Sequence, residues 1–353
     1  MNAVVQQAVG AAPTAAPVRS EGVWQAAWRR FKGDKVGLVA MVVVALFLAL
    51  IALSAAGLVA RGWQNEVGVP NAPPTVMGPR AADPNQPRAE SLAPNVDLSD
   101  VDPLAPRYAE WAEKAKQYHA VEAPKAETLP LGGDRLGRNV LDKAIKGTQI
   151  SVFVGVLAAV VATLVGTLLG AFAGFFGGKV DDFLEWLYNV FTAIPDILLI
   201  FAFAAVLGRG IDTVVLILGL TGWTGLYRQV RAEFMKHRMR EYVRAAEAIG
   251  ASAMSRMFRH ILPNVSHVIL VRMSLMVVGF IKSEVILSYL GLGVPVDQVS
   301  WGTMLAEAQS ELILGYWWQL AAATVFMAVF VTAFSLMADA WRDALDPKLR
   351  GLE

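Results

Sequence analysis

Three stretches of the chain carry no Asp, Glu, Lys, Arg or His: Val36 to Ala60, Gly147 to Gly178 and Leu312 to Ala338. Each exceeds the roughly 20 residues that an α-helix needs to cross a bilayer core of about 30 Å. A water-soluble helix keeps a polar face, and these runs have none. Weaker apolar stretches lie at 183–207, with Pro195 and Asp196 near the middle, at 211–227, and at 266–290, which Arg272, Lys282 and Glu284 interrupt. The pattern predicts an all-α polytopic membrane protein of six transmembrane helices, the second over 149–176 and the last ending at Ala338. In the second span Gly166, Gly170, Gly174 and Gly178 recur every fourth residue. That spacing predicts a face along which a neighbouring helix approaches closely.

Charge sets the orientation. Trp24, Trp28, Arg29, Arg30, Phe31, Lys32 and Lys35 crowd the start of the first span, as in an amphipathic helix at a membrane surface. The first twenty residues lack the n-region and cleavage pattern of a signal peptide and are expected to form a cytoplasmic tail. The 228–263 segment and the C-terminus, with Arg342, Lys348 and Arg350, are basic, whereas the links 208–212 and 291–317 hold only Arg209. The positive-inside rule then puts both termini in the cytoplasm.

The expected organisation is a tail and interfacial helix at 1–35, transmembrane helix 1 at 36–60, a periplasmic insert and lead-in at 61–146, and a membrane core at 147–353 with a cytoplasmic loop at 228–265. The insert holds most of the chain's 17 prolines. Within it, Asp102 and Pro103 suit the N-cap and first position of a helix, and Tyr108, Trp111, Ala115 and Tyr118 then share one face.

Composition removes several kinds of chemistry. The 353 residues are 55% hydrophobic with a mean hydropathy of +0.46, and the net charge of +1 says nothing of partners because its distribution matters more than its sum. Basic residues near Trp24 are explained by lipid rather than nucleic acid. Cysteine is absent, which excludes disulfides and thiolate metal sites. His119, His237, His260 and His267 show no metal-ligand spacing. The stretch Ala173 to Val180 ends in Gly-Lys-Val and lacks the first glycine and the Ser/Thr of a phosphate-binding loop, so no nucleotide hydrolysis is expected of this chain.

Ionisable residues inside a bilayer are costly, by about 2.5–3.5 kcal/mol at the centre, and tend to face a cavity or a partner. Asp196, Lys282 and Glu284 are therefore candidates for a translocation path, or for an ion pair that fixes helix register. Lys282 and Glu284, two apart, cannot share a helix face. Arg272 lies close enough to the cytoplasmic end to snorkel. Two other classes remain open on these residues: an intramembrane enzyme with Asp196 and Glu284 as acid and base, and an ion-coupled carrier. The carrier should show inverted-repeat symmetry, which is not evident.

The most informative segment runs from Glu241 to Asn264. Glu241 to Ile249 favours a helix, Gly250 suits the left-handed position that ends it, and Ser252 suits the cap of a second short helix ending before Pro263. Ala245 and Ala246 permit close backbone approach, and Arg244, Arg256 and Arg259 surround them with charge. A short exposed helix tied to two membrane spans suits the push of a soluble motor.

This segment resembles the "EAA" loop of permease subunits in bacterial ATP-binding-cassette importers, whose pattern is Glu-Ala-Ala, three residues, Gly, nine residues, Ile, one residue, Leu-Pro. Ala245, Ala246, Gly250, Leu262 and Pro263 match in register, while Arg244 replaces Glu and His260 replaces Ile. Both departures occur in the peptide branch. The stretches Leu131–Leu141, Glu284–Gly293, Ser300–Leu305 and Arg342–Arg350 resemble the same branch, with Gly133 and Asn139 as departures. Together they are similar to the C-type permease of the oligopeptide/dipeptide (and nickel) importers.

The resemblance implies the type I importer permease fold in the bacterial inner membrane. It also implies a non-enzymatic subunit that forms half of a path for peptides, with nickel or modified peptides as the alternative cargo. The implied partners are a B-type permease, two ATPase subunits that use ATP and Mg, and an external solute-binding protein. The loop around Ala245–Gly250 would then dock on an ATPase, and the permease itself would bind no cofactor.

Overall fold

Helices form where the charge-free runs predict them, and a few prolines and glycines decide where they bend. The computed structural model describes residues 23–80, 102–117, 124–295 and 297–345. The expected N-terminal tail, Tyr118, and the part of the C-terminal signature from Asp346 onward lie outside them. The helices are α1 (Val23–Gly33), α2 (Lys35–Ala55), α3 (Tyr108–Gln117), α4 (Val140–Phe176), α5 (Gly178–Thr192), α6 (Asp196–Leu207) and α7 (Ile211–Thr221). Then come α8 (Thr224–Arg238), α9 (Glu241–Ala248), the single turn α10 (Ala253–Ser255), α11 (Leu262–Tyr289), α12 (Trp301–Ile313) and α13 (Trp318–Leu345).

Among the described residues, α2, α4, the Ala253–Tyr289 rod and α13 are long and apolar enough to cross a membrane; α5 and α6 add a fifth crossing only as a pair bent by 85°. The span expected over 183–207 is met only as this bent pair. Pro195 lacks an N–H and disfavours helix at Ile194, so the rod breaks there. Asp196 is the exposed first residue of α6, directly after the break. The short α7 is followed by α8 after Gly222 and Trp223. The link expected at 291–317 is more than a link, because it contains α12, whose Trp301, Met304 and Ala308 are wholly buried. Ser300 starts α12 with a capping box shared with Thr303.

The helix α4 is the central post, with α7, α8 and α11 packed around it. Val154 and Ala158 of α4 meet Val214 and Leu218 of α7 in one apolar cluster. Toward α8 the glycines act as expected. A Cβ at Gly166 would lie 2.8 Å from the Trp223 carbonyl oxygen, and one at Gly170 2.7 Å from that of Tyr227; a Cβ at Gly174 would strike the Arg231 carbonyl oxygen. The fourth glycine departs from the series. Gly178 has φ +53°, nothing within 4 Å of its Cβ direction, and opens α5 instead of extending the seam.

The basic-aromatic N-terminus forms α1 as expected, and Asp34 caps the next helix by accepting from the Val36 N–H at 2.9 Å. Phe31 of α1 stacks on Trp341 of α13 at 4.7 Å, and Trp28 stacks on both rings. In the insert the expected cap at Asp102 with Pro103 in the first helical position is not met: a 3-10 turn starts at Ala105 after Leu104 and leads into α3, and Asp102 accepts from the Leu104 N–H at 2.8 Å and from the Tyr108 hydroxyl ahead of it. The described ends of the insert fold back on the lead-in: the Gly68 N–H donates to Gly137 O at 2.9 Å and the Gly133 N–H to Ala72 O at 2.8 Å.

Replacing Gly170 by Leu forces α4 off α8, at a cost of about 1–3 kcal/mol or more for overpacking. A fall in thermal midpoint of the purified protein is expected, while Gly33→Ala, at an unobstructed glycine, leaves the midpoint unchanged.

Candidate functional site: the elbow between α8 and α11

The elbow is built from a short helix with one anchored face and one free face. Val243 and Ala246 of α9 are buried, at 1% and 4% exposure, and Val243 joins the core cluster that holds Met257 and Ile261. Arg244 and Ala245 are exposed. The two alanines therefore differ, one turned inward for close packing and its neighbour outward. Gly250 ends the helix at φ +91°, the left-handed region where a side chain is strained. The Ala251 N–H donates to Ala246 O and the Gly250 N–H to Glu247 O, both at 2.9 Å, which is the Schellman closure. Directly before this stop Ile249 stands 87% exposed, with Met239 at 73% and Met254 at 48% nearby in sequence.

The elbow is tied at both ends. On one side α8 is held to α4 by the glycine seam and to α5 by Arg231, whose Nε and second nitrogen donate to the Asp181 carboxylate at 2.5 and 2.8 Å. On the other side Arg256 pairs with Glu247 at 2.6 Å and lies over the Phe175 ring of α4. Ser252 caps the restart, accepting from the Ser255 N–H at 3.3 Å.

The expected break before Pro263 does not occur. A π-helical turn, Arg256–Ile261, carries the chain into α11, and Pro263 sits in the first turn of that helix. Widening the helix by one residue absorbs the N–H that proline lacks and the clash of its ring with the preceding turn. Leu262 and His260 lie on this junction, half-buried, and the His260 carbonyl accepts from the Asn264 amide at 2.7 Å.

The intramembrane charges are not brought together. Asp196 and Lys282 are exposed on α6 and α11, and Glu284 is fully buried. The Ser288 hydroxyl donates to the Glu284 carboxylate at 2.6 Å and accepts from the Val294 N–H at 3.1 Å. Among the described residues no ion pair joins any two of the three. Glu284 is thus enclosed in this chain and, through Ser288, ties down the loop after α11.

Sequence reasoning missed a second polar cluster, at the opposite end of α4. Lys143, 1% exposed, donates to Asp134 at 2.7 Å, to Gln319 at 2.9 Å and to Glu307. Arg138 donates to Asp134 at 2.6 Å and reaches Glu307 at 3.3 Å. These contacts clamp the lead-in, α4, α12 and α13 together. Trp318 adds a bond from its indole N–H to Gly133 O at 2.6 Å. The signal lay in Asp134 and Arg138 of the lead-in motif, but Glu307, which Arg138 reaches, is 169 residues away in sequence.

Burial pushes the Asp134 carboxyl up, but Lys143 and Arg138 outweigh it and hold the group below the usual carboxylate range. Glu311 of α12 goes the other way: burial raises it, against one bond from the Arg135 N–H at 2.9 Å.

Comparison with known proteins places the chain. The family described as binding-protein-dependent transport system inner membrane component matches residues 166–351, and that described as N-terminal TM domain of oligopeptide transport permease C matches residues 22–74. The oligopeptide transport system permease protein OppC of Bacillus subtilis is 35% identical over 70% of this chain and 81% of its own. The dipeptide transport system permease protein DppC of Lactococcus lactis is 30% identical over 92% and 90%. The glutathione transport system permease protein GsiD of Shigella flexneri is 38% identical over 62% and 72%.

The clamp around Lys143 carries a pH signature. A carboxyl whose folded pKa is depressed contributes stability that is complete above its unfolded value, about 3.9, and is lost as pH falls through the folded value. Asp134→Asn is expected to cost about 3–5 kcal/mol at neutral pH, as for one partner removed from a buried pair, and to flatten the loss of thermal midpoint below about pH 4. A raised carboxyl has the opposite sign, so Glu311→Gln is expected to leave or raise the midpoint at neutral pH. Thermal unfolding across pH checks both.

Proposed function

This chain belongs to the inner-membrane components of binding-protein-dependent transport systems, and from that membership we propose that it forms half of a transmembrane path for peptides, driven through its elbow by a separate ATPase. The observation that carries the coupling role is the elbow itself, in which the short, tied helix α9 is flanked along the chain by the exposed Met239, Ile249 and Met254 and by arginines. Exposed apolar residues clustered within a polar rim are the mark of a docking surface. The sequence holds no phosphate-binding loop, so ATP and Mg are assigned to partner chains.

In this reading Arg244, Ala245, Gly250 and Ile249 face the ATPase, and Ala246, His260, Leu262 and Pro263 set the elbow's posture. A push on α9 reaches α4 through α8 and the glycine seam, and reaches α11 through the unbroken π-helical junction. The ATPase cycle shifts the permease between states only by docking differently in each. The path is completed by a second, B-type permease. Asp196 and Lys282, exposed in the single chain, face the path or that partner, and Glu284 positions the exit of α11. Six crossings, with α5–α6 as one and α7–α8 as another, put both termini and the elbow in the cytoplasm and the insert outside. An external solute-binding protein delivers cargo. Peptide cargo is supported by the three relatives, named for oligopeptide, dipeptide and glutathione transport.

Ile249→Glu, at a side chain with almost no packing of its own, is expected to abolish co-purification of the ATPase pair and peptide uptake in vesicles while the thermal midpoint of the permease holds. Gly250→Pro is expected to abolish uptake as well, because it removes the helix stop. Vanadate-insensitive uptake by the purified chain alone would contradict the proposal.

A further inference from the structure

At the end of the bundle that carries the elbow, α8, α11 and α13 line an open pocket of about 320 Å³, at whose rim Gln229 and Arg342 are exposed. Its polar groups are Gln229, His267, Arg272 and Arg342, and Val271 and Leu345 are among the apolar side chains of its wall. No acidic residue lines it. Among the described residues, no ion pair or hydrogen bond engages the side chains of His267, Arg272 or Arg342. Arg272 Nε is sealed from solvent with no hydrogen-bond partner. Its terminal nitrogen lies where a Cβ on Gly225 would sit 2.8 Å away, so glycine at that position makes room for the guanidinium.

A cluster of cations with an enclosed, unsatisfied donor calls for an anion. Two arginines match the geometry of phosphate oxygens better than that of a lone carboxylate, since each guanidinium offers a fork of donors. Depth narrows the source of the anion. Arg342 directly follows Trp341, which stacks with Trp28 and Phe31 of the interfacial helix, and such aromatics lie at headgroup level. Counting back roughly 20 residues from Tyr289 along α11, the thickness of the hydrocarbon, ends beside Arg272. The pocket therefore stands at the boundary between hydrocarbon and headgroups, with apolar walls toward the former.

We propose that this pocket binds the phosphate of an anionic phospholipid headgroup. The inference rests on the membrane reading of the chain and not on the elbow's role in coupling, so either stands if the other fails. Bound there, the headgroup bridges α11 and α13 beside the π-helical junction.

The test uses the complete transporter assembly, reconstituted in bilayers of phosphatidylglycerol and phosphatidylethanolamine, extracted in mild detergent and analysed by native mass spectrometry. Retained phosphatidylglycerol is expected in the wild type, falling about fivefold for each arginine removed in Arg272→Gln and Arg342→Gln. Arg135→Gln, an exposed arginine at the opposite end, should match the wild type. If the pocket variants fail to assemble, the wild type alone decides, because it should retain phosphatidylglycerol and not phosphatidylcholine when the lipids are exchanged. Equal retention in wild type and pocket variants, or equal retention of the neutral lipid, overturns the proposal. So does retention by the isolated chain but not by the assembly, which means that a partner subunit covers the pocket. A thermal shift with inorganic phosphate that depends on Arg272, without retained lipid, assigns the site to free phosphate and overturns the lipid source.

Discussion

The contact of α4 with α8, backbone against backbone along Gly166, Gly170 and Gly174, is the constraint on which the rest of the structure depends. A side chain at any of the three would meet a carbonyl oxygen of α8. Because lipid offers no hydrophobic gain for helix association, the seam relies on close packing and on the bonds it permits. Beside it the Arg231–Asp181 pair joins α8 to α5. With α8 fixed, the start of α9 is fixed, and with it the direction in which the elbow points.

The same post, α4, is gripped at both ends. At one end Phe175 lies beneath Arg256 of the elbow, and at the other Lys143 is buried among Asp134, Glu307 and Gln319. A displacement of the elbow is therefore opposed, or passed on, by a helix whose far end is clamped to α12 and α13. The continuous rod from Ala253 to Tyr289 offers a second route, and the buried Glu284–Ser288 pair lies near its far end. Packed interiors move between discrete arrangements rather than deforming smoothly. A short lever with two stiff connections suits such a switch.

Much of the helical framework was legible because the charge-free runs and the i, i+4 glycines are local signals. Three of the four glycines face α8 as their spacing predicts, and Gly250 stops α9 where the left-handed position was expected. What escaped was set by context. The apolar run over 183–207 gives no measure of how sharply Pro195 bends it; the bend is 85°, and Thr192 to Leu198 around it are all exposed. Pro263 reads as a helix end, yet a π-helical turn carries the chain past it. Lys143 draws no notice in the sequence, because two of the groups that converge on it, Glu307 and Gln319, lie far along the chain. Ala245 and Ala246 look equivalent until the packing of α9 turns one outward and the other inward.

The central claim is that the elbow faces the cytosol and docks a separate ATPase. The chain contains no cysteine, so a single Ile249→Cys variant reports on that position alone. Its reaction with a membrane-impermeant maleimide is measured in inside-out and right-side-out vesicles, with and without the ATPase pair. The account expects labelling in inside-out vesicles only, and protection once the ATPases are bound. Labelling from the outer face, or labelling that the ATPases leave unchanged, would contradict it.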